Sequence, residues 1–125
     1  METVITVDVL RRAKIEVTLA GLSSTMEPIE CSRGVKIVPD CTVEQAQARQ
    51  PFDVVVLPGG AGGAKNLSDS QQVKELLQFQ ESSGRCIAAV CAAPTALLAH
   101  RIGVHRTITS HPGVMKVCVC AQGDI

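Results

Sequence analysis

Buried apolar runs alternating with helical segments predict an α/β fold assembled from parallel βαβ units. Two runs carry that prediction. FDVVVL at 52–57 and CIAAV at 86–90 are short, continuous and rich in Val, Ile and Ala, as strands of a parallel sheet are. A third observation is the segment between them. Val73, Leu76 and Leu77 share one helical face there, and Gly84 is placed to end the helix.

The elements follow in order. IEVTLAGL at 15–22 alternates apolar and polar residues and reads as a strand. VKIV at 35–38 is a short apolar run stopped by Pro39-Asp40. Residues 42–49 form a short helix, with Thr42 or Asp40 as its cap. The strand at 52–57 ends abruptly at Pro58-Gly59-Gly60. A helix then runs over about 68–80, with Ser68 and Gln71 as a capping-box pair. The strand at 86–90 leads into a helix over 94–100, and 107–109 makes a last short strand before His111-Pro112. The first ten residues fit two patterns. Ile5, Val7 and Val9 alternate as in a strand, whereas Met1, Ile5 and Val9 share a helical face. Residues 1–112 read as one domain, with no internal repeat or low-complexity linker.

Composition narrows the function classes. The 125 residues are 46% apolar but only 2% aromatic, so the core is built from Val, Ile, Leu and Ala. Twelve basic residues balance twelve acidic ones, and no basic block exists, which gives no direct nucleic-acid signal. No apolar run approaches the ~20 residues of a membrane span. The acidic start METVITVDVL is unlike a secretory signal, so a cytoplasmic location is expected and the six cysteines are expected as free thiols. No CxxC pair occurs, and Cys118 and Cys120 have neither zinc-knuckle nor redox-dithiol spacing, so no metal site is expected.

The chemistry concentrates in IAAVCAAPTALLAH at 87–100. A buried strand runs into Cys91, two alanines follow, and Pro94 opens a helix. Small residues on both sides let the backbone turn sharply and raise the side chain above the sheet, as in a nucleophile elbow with Cys in place of Ser. The following helix N-terminus favours the thiolate, the nucleophilic and oxidisable form. The blander alternative is a small buried hydrophobe, which a strand-to-helix junction disfavours. The neighbouring strand ends at Gly59 and Gly60. Ligands of open α/β sheets gather beyond such strand ends, so the N–H groups of Gly60 and Ala92 are candidate oxyanion donors. A glycine turn with no ligand fits the same spacing. GGAGGAKN lacks the Lys-Ser/Thr ending of a phosphate loop. His111, following the last strand, is a candidate acid–base partner. His100, at a helix end that welcomes a cation, and His105, in a loop, are weaker candidates.

METV at 1–4, CSR at 31–33, FDVVVLPGG, AKNLSDS, IAAVCAAPTALLAH and SHP together resemble the parkinsonism-associated deglycase branch of the ThiJ/PfpI superfamily, from Met1 to about Pro112. The resemblance implies a flavodoxin-like three-layer α/β sandwich with a mostly parallel sheet, a homodimer and no cofactor. It implies that Cys91 is the nucleophile, that its thiolate is held by a protonated glutamate matching Glu2, and that the histidine is His111. It places METV at the start of a helix, which overrules the alternating pattern there. Arg33 and Cys31 match dimer-interface residues. The implied activity is a deglycase or glyoxalase acting on methylglyoxal, small reactive carbonyls and glycated proteins, with an oxidative-stress protective role. The implied locations are cytoplasmic, nuclear and mitochondrial.

Two departures from that pattern are expected to matter. The family carries a strand before METV that these residues do not include. After SHPGVMK the sequence reads VCVCAQGDI, so 113–125 is expected to be a divergent tail in which Cys118 and Cys120 are incidental. Three function classes therefore remain: a cysteine-dependent enzyme, a redox sensor or chaperone signalled by Cys91 oxidation, and an inactive truncated isoform. A class I amidotransferase also uses a cysteine elbow but needs a His-x-Glu pair, which His111-Pro112-Gly113 does not supply.

Overall fold

The computed structural model describes residues 1–115, so the expected tail from 116 onward, with Cys118 and Cys120, lies outside the described residues. The chain divides into two compact units, Met1–Gln50 and Pro51–Ile125.

In the N-terminal unit, helix α1 (Glu2–Arg12) confirms the helical reading of METV. Its ends explain why a segment with six β-branched residues, Thr3, Val4, Ile5, Thr6, Val7 and Val9, still winds up. Glu2 lies in the first turn and Arg11 and Arg12 in the last, complementing the helix dipole. Asp8 and Arg12 pair one turn apart at 2.9 Å. Lys14 takes φ +64°, while Lys14 N–H donates to Arg11 O and Ile15 N–H to Leu10 O, which closes the last turn as a Schellman motif. The expected strand at 15–22 is reduced to β1 (Ala20–Gly21), parallel to β4 (Cys41–Thr42). Between them lies a small antiparallel hairpin, β2 (Ile29–Glu30) with β3 (Lys36–Ile37). Asp40 is not the cap of α2 (Val43–Gln47). Its carboxylate instead accepts from Leu19 N–H at 2.8 Å and from Arg11 at 2.5 Å. Thr42 is the cap, in a full capping box with Gln45. Gly21 is packed so closely that a Cβ there meets Ile29 Cδ1 at 2.6 Å.

In the C-terminal unit, β5 (Val54–Leu57) and β6 (Cys86–Ala89) are parallel, with Val54 opposite Cys86 and Leu57 opposite Ala89. Two helices make the crossover, α3 (Ala61–Asp69) and α4 (Gln71–Ser82). This corrects the single helix expected over 68–80. Ser68 lies inside α3 and its hydroxyl donates to Ala64 O at 2.8 Å, while Ser70 caps α4 by accepting from Val73 N–H. Gly84 ends α4 as expected, at φ +66°, with Gly84 N–H on Glu81 O and Arg85 N–H on Gln80 O.

The core of this unit is the buried face of α4 (Val73, Leu76, Leu77) with Leu57, Val55 and the helix α5 (Pro94–Ala99) residue Ala96. Gln80 is fully buried, and its Nε2 donates to Phe52 O and Cys86 O at 2.9 and 3.0 Å, tying together the feet of both strands. The burial of β5 differs from expectation. Val55 and Leu57 are buried, but Val54 and Val56 are 48% and 38% exposed, so the valine run is covered on one face only. The expected strand at 107–109 is irregular backbone.

Candidate active site

The site is built where β6 gives way to α5. Val90 N–H still donates to Leu57 O at 3.2 Å, extending the β5–β6 pairing by one step. Cys91 then turns to φ +60°, a left-handed conformation that costs a non-glycine residue about 1–2 kcal/mol. Ala93 N–H returns to Val90 O at 3.0 Å, and Pro94 at the start of α5 supplies a φ that suits the first helical turn. This is the strand–turn–helix geometry of the elbow, with the thiol free and half-buried.

Main-chain groups hold the turn on both sides. Cys91 O accepts His111 N–H at 2.7 Å. Ala92 O accepts Thr95 N–H at 3.1 Å and the Thr95 hydroxyl at 2.7 Å. The His111 ring is itself engaged, since Nδ1 accepts Gly113 N–H at 3.0 Å. The segment 112–115 that follows is a helical turn.

Gly59 and Cys91 each stand two residues beyond the last residue of their strands, and those last residues are in register. Gly60 has φ +86° and caps α3, its carbonyl accepting Ala64 N–H at 2.8 Å. Neither Gly60 N–H nor Ala92 N–H donates to a backbone acceptor among the described residues.

The C-terminal unit thus brings together five of the residues singled out from sequence: Cys91, Ala92, Gly59, Gly60 and His111. Glu2 lies in the first turn of α1, and Cys31 and Arg33 lie on the β2–β3 hairpin, all in the N-terminal unit. Arg33 is in the left-handed region at φ +64°. His100 is no partner of Cys91. It is buried, and its Nε2 meets Leu67 O at 2.8 Å, fastening the end of α5 to α3. Two contributors escaped the sequence reading, Thr95 and Gly113. A hydroxyl three residues beyond a small-residue turn, and a histidine two residues before a glycine, are the local patterns that point to them.

Among the described residues, no cluster of three His, Cys, Asp or Glu side chains is arranged to hold a metal ion. No helix there is long and apolar enough to cross a membrane.

The model of the DJ-1/PfpI family matches residues 1–123. The chain belongs to the DJ-1/PfpI family. The zebrafish Parkinson disease protein 7 homolog is 58% identical over 113 residues, which are 90% of this chain and 59% of that protein. A Caenorhabditis elegans protein named glutathione-independent glyoxalase DJR-1.2 is 41% identical, over 89% of this chain and 57% of that one. The crystal structure of Drosophila melanogaster DJ-1beta superposes with a TM-score of 0.90 at 48% identity, covering 94% of this chain and 62% of the other. The fold is therefore the α/β flavodoxin-like fold of this family. The chain spans about three-fifths of the length of these relatives.

Proposed function

We propose that the chain is a cysteine-dependent glyoxalase or deglycase acting on methylglyoxal or its protein adducts. The observation that carries this reading is the left-handed turn of Cys91 at the head of β6, beside the glycine-ended head of β5. Family membership and a relative named as a glyoxalase support it. In this reading the Cys91 thiolate adds to the aldehyde carbon, and the carbonyl electron pair moves onto oxygen. Donors near the two strand heads, the N–H groups of Gly60 and Ala92, stabilise the oxygen as charge develops. Internal transfer of the aldehyde hydrogen to the adjoining carbon and hydrolysis of the resulting thioester yield the hydroxy acid, with no external oxidant. The proton step needs a carrier, and the candidates that the sequence resemblance supplies are Glu2 and His111.

The test is turnover of methylglyoxal by the purified chain beside Cys91→Ser, Glu2→Gln and His111→Ala. Turnover abolished by Cys91→Ser supports the reading. Equal disappearance of methylglyoxal with and without Cys91 overturns it.

A redox-sensing role is a second reading, favoured by the free, half-buried state of the same thiol. Selective peroxide oxidation of Cys91 in a chain that turns over no methylglyoxal is its expected signature. A homodimer using Arg33 and Cys31 is proposed on the same footing, and sedimentation with and without Arg33→Ala tests it.

A further inference from the structure

We infer that His111 serves the elbow as a positioning residue, through its main chain and its Nδ1 acceptor, and is not the proton carrier of the reaction. The inference rests on Cys91 being the reactive group, but not on any particular substrate.

Three observations carry it. His111 N–H donates to Cys91 O at 2.7 Å, so the residue grips the carbonyl of Cys91, which is left-handed at φ +60°. Its Nδ1 accepts Gly113 N–H at 3.0 Å. Val114 N–H also returns to His111 O at 2.9 Å, so the turn that presents the gripping N–H is closed by His111 itself.

The ring chemistry follows from the second bond. With Nδ1 accepting, the neutral imidazole carries its hydrogen on Nε2. A ring in that tautomer has one lone pair able to take a proton, and Gly113 already occupies it. Taking up the thiol proton at Nδ1 would break this bond and set N–H against N–H. Shifting the tautomer to free Nε2 breaks the same bond. Holding the turn and accepting a proton are therefore alternatives for this ring.

Gly113 is matched to the arrangement. A Cβ there would stand 3.1 Å from His111 Nδ1 and 3.3 Å from its Cε1, so a side chain makes the ring give by a few tenths of an ångström. The pattern has the geometry of an Asx turn, in which a side-chain acceptor takes the N–H two residues on. Asparagine presents such an acceptor and does not titrate, so it separates positioning from proton transfer.

The experiment is the rate of Cys91 alkylation by iodoacetamide across a pH series, read by peptide mass spectrometry in the full chain. Cys86 is the internal exposed-thiol reference, and hydrogen exchange over α4 reports folding. In the native chain Cys91 is expected to react faster than Cys86. His111→Ala is expected to slow it about three- to tenfold, the effect of losing one neutral hydrogen bond that orders the turn. His111→Asn is expected to recover most of that loss, with the shape of the pH profile kept. Gly113→Ala, which leaves the histidine in place, is expected to slow Cys91 as well. If His111→Ala loses α4 protection, the native, His111→Asn and Gly113→Ala rates decide alone. Asparagine and alanine variants equally slow, or a pH profile that loses a step in His111→Asn, overturns the inference and leaves the Cys91 reading standing. A native Cys91 no faster than Cys86 overturns both.

Discussion

The foot and the head of the β5–β6 pair are closed by different means. At the foot, side chains reinforce a backbone bond from Cys86 N–H to Asp53 O at 3.3 Å. Gln80 reaches up from α4 to two strand carbonyls, and Arg85 adds contacts to Phe52 O and Asp53. At the head the bonds are mainly between backbone groups: Val90 to Leu57, His111 to Cys91, Thr95 to Ala92. A cysteine sits at each end. Cys86 starts β6 as an exposed strand residue, and Cys91 lies just past its end, half-buried and left-handed. The same residue type therefore meets two backbone settings five positions apart, and the setting marks one of them for chemistry.

The sharpest way to break this contrast is to remove what both ends stand on. Leu77 is fully buried under the sheet. Leu77→Ala is expected to cost about 2–5 kcal/mol, with the cavity adding to lost burial. The chain has neither Trp nor Tyr, so urea unfolding is best followed by circular dichroism. Alkylation of Cys86 and Cys91 should then converge in rate, because the elbow no longer persists.

Gln80→Ala acts at the foot alone. It strips a hydrogen bond from two strand carbonyls, and about 1–3 kcal/mol is expected. Gln80 Oε1 is buried with no hydrogen-bond partner among the described residues. Gln80→Leu, which removes that unsatisfied oxygen and restores volume, is therefore expected to lose less than the alanine variant. Both variants lose the Nε2 bonds and the orphaned oxygen alike, so a leucine variant that is the worse of the two would show that the branched side chain does not fit the space that Gln80 fills. In either case Cys91 should keep its lead over Cys86, since the head is held separately.

How much of this was legible beforehand depends on which kind of bond does the work. The elbow is readable because a nucleophile after a short apolar run and before small residues has few other meanings, although that run, expected to be buried, has no buried residue: Cys86 and Val90 are exposed and 87–89 half-buried. Thr42 as one of two candidate caps, and Gly84 after α4, are readable because those motifs are local. Helix α3 is not. Gly62 and Gly63 read as loop punctuation, yet they lie inside a helix held by the buried Ala64 and an ion pair between Lys65 and Asp69. The Ser70 cap carries no capping-box signal, because that template demands Glu or Gln three residues on and Val73 stands there. The tie from Cys91 to His111 spans twenty residues of helix and irregular chain, and no spacing rule encodes it.

Gly84→Ala tests the foot through conformation only. A Cβ at Gly84 has no heavy atom within 4 Å, so nothing clashes. The expected cost, about 1 kcal/mol, is that of holding a non-glycine residue at φ +66°. Lys14, at φ +64° in the same kind of helix end, shows that the position tolerates a side chain. A larger loss than this would mean that Arg85 and its contacts move with the turn.

Thr95→Val is the smallest expected effect and the most informative about the head. The substitution removes the hydroxyl bond to Ala92 O but keeps the β-branched shape. Ala92 O is not left bare, because Thr95 N–H still reaches it at 3.1 Å. Stability should fall by no more than about 0.5–1 kcal/mol, the net worth of one hydrogen bond whose acceptor keeps another donor. The Cys91 alkylation rate should stay within about twofold of native for the same reason. If it drops tenfold while stability holds, the head is not a backbone-held turn. The Thr95 hydroxyl would then belong with Cys91 and Ala92 as a group on which the reactive geometry depends.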